Sequence, residues 1–202
     1  MKLTLSRNSP TNSVYRNQDG TPLYRVETPW KLVDKISTIT RFVSNSGTAH
    51  VESIAPVRSD NESDTDIHLM RLEEQEVAQI HWHRIGGTMI KLGERSVSVG
   101  TYMPRMGLSA LNRRKRNFTA SDGRSYRWTM EPLTSSQTWQ LARNDESKTR
   151  IARYHHRSLG IVGQTRKAYL EIYPEGEPIV DEIVITFIYV EIMRRKENGE
   201  RL

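Results

Sequence analysis

Three groups of side chains have the types and spacing to do chemistry. His81 and His83 are one residue apart, so on a strand they project from the same face. Two such imidazoles could hold a transition metal, with Glu76 or His155 completing the set. The plainer reading puts both on the solvated face of a strand whose Ile80 and Trp82 look into a core. It is preferred, and no metal site is expected. The second group is Arg153-Tyr154-His155-His156-Arg157. Adjacent residues on a strand point to opposite sides, so His155 and His156 cannot chelate together. Arg153, His155 and Arg157 share a face and form a short basic stripe that could grip an anion through charge-assisted hydrogen bonds. Pairing with neighbouring side chains is the alternative. The third group, Arg113-Arg114-Lys115-Arg116, is the densest charge run, in a stretch where seven bases from Arg105 to Arg127 meet one acid. It could meet phosphate head groups, nucleic acid or an import receptor, or be a solvated loop. Nearby Phe118, Tyr126 and Trp128 alternate with polar residues, as core-facing strand positions do.

Enzymatic signatures are missing from the sequence. Ser158-Leu159-Gly160 is not a nucleophile elbow, Gly160-Ile161-Val162-Gly163 is not a dinucleotide fingerprint, and Gly86-Gly87 lacks the Gly-Lys-Ser/Thr of a phosphate loop. The chain has no cysteine, which excludes disulfides, thiolate metal sites and cysteine nucleophiles. No catalytic residue and no cofactor is expected. Thirty Lys and Arg against 24 Asp and Glu give a formal charge of +6, which suits an acidic partner without naming one.

The elements that must position these groups are mostly short strands. Lys2–Ser6, Val14-Tyr15, Pro22–Glu27 and Ile36–Val43 alternate or cluster β-branched residues between turn signals. Val77–Arg84, Thr88–Leu92, Ser96–Met103, Asn117–Ala120, Ser125–Met130, Thr138–Arg143, Arg150–Arg157 and Lys167–Tyr173 continue the series. Asp19-Gly20 and Asp122-Gly123 are hairpin turns, each feeding a strand that begins with a Tyr-Arg pair. Residues 44–68 are rich in Ser, Asn, Asp, Thr and Gly and are expected to form a flexible insert, having too little apolar surface to offset ordering. From Asp60 to Glu76 seven acids face one base, Arg71. The 202 residues suit a single domain.

Residues 179–196 are of another kind. They are too long for one ordinary strand, and the anions Asp181 and Glu182 at one end and the cations Arg194, Arg195 and Lys196 at the other suit a helix dipole. Pro178 and Gly199 punctuate the segment. Its apolar residues cover nearly every helical face, so the helix must be enclosed by protein or immersed in lipid. Glu191 and the flanking charges favour enclosure, and no transmembrane span is expected. A closed antiparallel β-barrel of about twelve strands around a buried C-terminal helix removes both the sheet edges and the helix's contact with water.

Several of these residues carry a resemblance. Leu3-Thr4-Leu5-Ser6, the turn and strand from Asp19 to Tyr24, Ile80-His81-Trp82-His83, Arg116 to Trp128 and Asp181 to Glu191 resemble a family of small intracellular proteins of mushroom-forming fungi that carries a domain of unknown function. That family is in turn remotely similar to the tubby C-terminal domain, the LURP-one-related proteins and the phospholipid scramblases. The resemblance implies a twelve-stranded barrel around a central helix. It supplies no catalytic residues, and the lysine and arginine ligands of tubby do not map onto this chain.

The expectation is a non-enzymatic binding module for anionic lipid, such as a phosphoinositide, or another phosphorylated ligand. The candidate ligand residues are Arg113, Arg114, Lys115, Arg116, Arg153, His155 and Arg157. A protein-interaction scaffold and nucleic-acid association through residues 113–116 are the alternatives. The N-terminus has no secretion-signal core, so a cytoplasmic protein is expected, with nuclear or membrane-peripheral placement as variants.

Overall fold

The computed structural model describes residues 1–29, 34–44, 72–83, 85–107, 115–131, 138–158 and 165–200. The expected insert therefore lies, apart from Ser44, outside the described residues. Twelve strands form one antiparallel sheet: β1 (Lys2–Leu5), β2 (Ser13–Arg16), β3 (Pro22–Glu27), β4 (Lys35–Ser44), β5 (Leu72–Trp82), β6 (Met89–Leu92), β7 (Arg95–Ser98), β8 (Lys115–Thr119), β9 (Ser125–Glu131), β10 (Thr138–Arg143), β11 (Arg150–His155) and β12 (Tyr169–Ile172). Their order is β7-β6-β5-β4-β3-β2-β1-β12-β11-β10-β9-β8, so β1 and β12 meet in the middle. A four-residue helix α1 (Val99–Tyr102) follows β7, and a 3-10 turn (Pro174–Ile179) leads into α2 (Val180–Glu197).

Alternation is what makes these segments strands. In β1, Leu3 and Leu5 are buried while Lys2 and Thr4 are half-exposed; Tyr24 and Val26 do the same in β3, and Leu170 and Ile172 in β12. The inward rows have one object to cover. Every residue of α2 from Ile183 to Ile192 is buried, so the helix has no wet face. Its partners come from all around the sheet. Tyr24 of β3 donates to Asp181 Oδ1 at 2.5 Å, and Trp82 of β5 stacks on Tyr189 with ring centroids 6.0 Å apart. Trp128 Nε1 of β9 donates to Thr186 Oγ1 at 2.9 Å, and the Tyr154 ring of β11 lies 4.7 Å from Phe187. A sheet reaching one helix from β3, β5, β9 and β11 has curled around it.

The ladder stops at β7 and β8, which are not hydrogen-bonded to each other. The seam between them is spanned by α1 and by an isolated bridge from Arg105 to Arg116 of β8, with the Tyr102 and Phe118 rings 6.1 Å apart. Here the expected strand Ser96–Met103 breaks. Ser98 Oγ accepts from Gly100 N at 3.2 Å and caps α1, which ends the extended run. β5 instead starts five residues before the expected Val77. Cross-strand partners on β3 and β4 hold its polar beginning: Arg25 pairs with Glu74, and Arg41 donates to Gln75 Oε1 at 2.9 Å.

The start of α2 packs without room to spare. A Cβ on Gly176 would stand 2.8 Å from the Ile151 carbonyl oxygen, so only glycine lets the 3-10 turn lie against β11. The far end is locked by charge. Glu191 is fully buried, and its carboxylate accepts from Arg194 Nε at 2.8 Å, Arg194 Nη2 at 2.9 Å and Arg195 Nε at 2.9 Å. Glu200 folds back onto Arg194 at 2.5 Å. Burial lowers the pKa of Arg194, but its bonds to Glu191 and Glu200 outweigh that and raise it. Glu191→Ala leaves two buried guanidiniums without their shared anion and is expected to cost about 3–5 kcal/mol in urea unfolding. A loss below about 1 kcal/mol, the scale of an exposed pair, would contradict this burial.

Candidate functional site

The helix and the inward side chains pack together inside the sheet, and clefts open at its two ends. Alternate strands share a direction, so the exits of β1 and β11 and the entry of β12 meet at the end where α2 terminates. Antiparallel pairing draws these three segments together although they are far apart in sequence. Leu5 N donates to the Ala168 carbonyl at 2.9 Å, and Ser158 and Arg166 exchange backbone bonds at 2.9 and 3.1 Å. Between them opens a cleft of about 450 Å³ lined by Arg7, Arg157, Arg166 and Lys167, with the polar side chains of Ser6, Asn8, Ser158 and Thr165. No carboxylate lines it. All four bases are exposed, and among the described residues none of them forms an ion pair.

An aromatic platform beside the cleft holds one of these cations. The Tyr169 ring stacks against His155, centroids 4.3 Å apart, and carries Arg166 Cζ at 5.1 Å and Lys2 Nζ at 4.1 Å. His155 is itself engaged, with Nε2 2.9 Å from Glu171 Oε2. Burial pushes its pKa below the usual histidine value, and the Glu171 bond only partly offsets that. His155 thus belongs to the wall that positions Tyr169.

A family model for a family of unknown function (DUF6593) matches residues 8–196. The chain belongs to that family. No curated protein and no solved structure matches it. The family's span takes in Arg157, Arg166 and Lys167 and begins one residue after Arg7.

The residues singled out in the sequence divide three ways. Arg153 and His155 do share the outer face of β11, and Arg157, just beyond the strand, reaches the cleft. Arg113 and Arg114 lie outside the described residues. Lys115 opens β8, but Arg116 is drawn inward and only 4% exposed, bonded to Tyr189 of α2, so it is not part of a basic loop. The reason is period two: Arg116 stands two residues from Phe118 and shares its inward face. Arg7, Arg166 and Lys167 were not singled out, because only the β1–β12–β11 pairing brings them to Arg157.

His81 lies on the outer face of β5 and the exposed His83 just past its end, while Ile80 and Trp82 are buried on the inner face. His81 bonds Gln79 at 3.0 Å and His83 bonds Asp34 at 3.3 Å. Among the described residues no group of three His, Asp or Glu side chains is placed to hold a metal. At the opposite end a cleft of about 290 Å³ is lined by Arg41, Asp181 and Glu182. Its chemistry is internally satisfied, since Arg41 Nη1 donates to Asp181 Oδ2 at 2.9 Å and Ser121 N donates to Glu182 at 3.0 Å.

The environment of His155 has a pH consequence. With its folded pKa below the unfolded value near 6.5, the neutral ring favours the folded state above that pH, and this contribution is lost as pH falls. The imidazole followed by NMR is expected to titrate below 6.5, and lower still in Glu171→Gln. A midpoint above 6.5 would mean that Glu171 outweighs burial.

Proposed function

We propose that this protein is a non-enzymatic binding module for a phosphate-bearing anion, held in the cleft of Arg7, Arg157, Arg166 and Lys167. The observation that carries the reading is the convergence of four exposed cations on one concavity lined by no carboxylate. Like charges so gathered repel, and an anion relieves that cost. The three guanidiniums can each fork onto phosphate oxygens, and the lysine adds a point charge. Ser6, Asn8 and Thr165 offer neutral hydrogen bonds for the remainder of a polar ligand.

In the tubby-like reading of the fold the sheet is a barrel whose seam is sealed by α1 and Arg105 rather than by a β7–β8 ladder. The shared chemistry is phosphate, whether free or on a lipid head group. The basic run 113–116 has less to offer, since Arg116 is committed to Tyr189.

Calorimetric titration with inositol 1,4,5-trisphosphate tests the reading. Binding is expected, weakening as salt is added and by at least about tenfold in the double variant Arg157→Ala/Arg166→Ala, since each charge-assisted bond contributes roughly 1.5–3 kcal/mol. No heat, or affinity unchanged in the double variant, would dispose of the cleft.

A further inference from the structure

The end of the sheet that carries the cleft has a second feature, an apolar one. Between β5 and β6, Ile85 is 89% exposed, the most exposed large hydrophobic side chain among the described residues. Gly86 and Gly87 follow it at φ +91° and +88°, a left-handed pair that side chains with a Cβ rarely adopt, and they turn the chain back toward β6. The base of this loop is tied down: the Thr88 carbonyl accepts from Val99 N of α1 at 2.9 Å. β1 and β5 run in the same direction, so Ile85 leaves the sheet at the same end as Arg7 and Arg157. Met106, 38% exposed, lies at this end too, after the seam helix and 3.0 Å from Asn117 of β8.

Charge separates the two ends. Around the root of the Ile85 loop stand Lys35, paired with Trp82 across β4–β5, and Lys196, whose Nζ lies 4.8 Å from the Trp82 ring. Asp34, the acid beside them, is bonded to His83. The turns at the other end carry acids and bases together, Asp19, Asp122, Asp145, Glu146, Glu175 and Glu177 beside Arg16, Arg124 and Lys148. One end therefore joins a cleft of bases to an apolar tip, and the other is of mixed charge.

We infer that the end bearing Ile85 and the cleft docks on the surface of an anionic lipid bilayer, with Ile85 entering the head-group region and the bases meeting lipid phosphates. The inference rests on the anion-cleft reading for part of its charge and adds the orientation and the apolar anchor. An apolar tip ringed by cations gains twice at such a surface, from removal of the side chain from water and from the negative surface potential. The mixed-charge turns at the far end then point away from the lipid, and the cleft and Ile85 set the orientation.

The chain has no cysteine, so single thiols can carry a polarity-sensitive fluorophore. Ile85→Cys and, at the opposite end, Glu146→Cys are labelled and mixed with vesicles of phosphatidylcholine alone or with phosphatidylserine. Both sites are exposed, so neither change disturbs packing. The expected result is a blue shift at position 85 with the anionic vesicles only, abolished by high salt, and no shift at 146. Ile85→Ser is expected to lower partition into those vesicles by about tenfold. Vesicle binding without a shift at 85, or undiminished in Ile85→Ser, would overturn the docking mode. A shift that grows with protein concentration in the absence of lipid would assign the tip to a second copy of the chain instead. Inositol trisphosphate binding without vesicle binding would overturn docking and leave the cleft standing, whereas loss of both would remove both.

Discussion

The constraint on which the rest depends is that α2 has no polar face. A helix running Ile-Val-Ile-Thr-Phe-Ile-Tyr-Val from Ile183 to Val190 cannot lie on a surface, because each large apolar side chain left in water forgoes roughly 1.5–3 kcal/mol. Enclosure needs neighbours on all sides, and short alternating strands supply them when their sheet curls. Among the described residues the sheet in turn has no second layer to cover its inner face other than this helix. Each element thus completes the burial of the other, and neither would be expected to hold its shape alone.

Polar groups fix how far the helix is threaded. Asp181 is held by Tyr24 and Arg41 at one end, Thr186 by Trp128 part-way along, and Glu191 by its two arginines near the other. A slip of one turn would bury an unpaired carboxylate or strand two guanidiniums, so the network specifies register even where its net contribution to stability is small. The clefts at the two ends differ: carboxylates are paired off at the start of α2, while cations that form no ion pair among the described residues gather beside its finish.

The large features were legible in the residues because they rest on local patterns. Period-two alternation marked most of the strands, and uniform hydrophobicity between opposite terminal charges marked α2 to within a residue of Val180–Glu197. What escaped depended on partners distant in sequence. The start of β5 is Leu-Glu-Glu-Gln-Glu, which has no strand signature and is extended because Arg41 meets it from the adjacent β4 and Arg25 from β3 beyond. α1 was hidden because Val97, Val99 and Tyr102 read as strand residues, and only the capping by Ser98 reverses that. Arg157 could be picked out from its own neighbourhood, but Arg7 and Arg166 join it only through the middle of the strand order. The signal for Arg116 was present and outvoted: a base in phase with Phe118 reads inward even when it ends a basic run.

Hydrogen exchange of the backbone amides, followed residue by residue in the native protein, tests the enclosure most directly. The amides of Ile183 to Ile192 are expected to be among the slowest in the chain, exchanging only when the whole domain unfolds and sharing one free energy with the inward strands β1, β11 and β12. Exchange of those amides at the rate of the exposed hairpin turns would mean that the helix leaves the sheet while the rest stays folded, and the account of a mutually enclosed helix and sheet would fail.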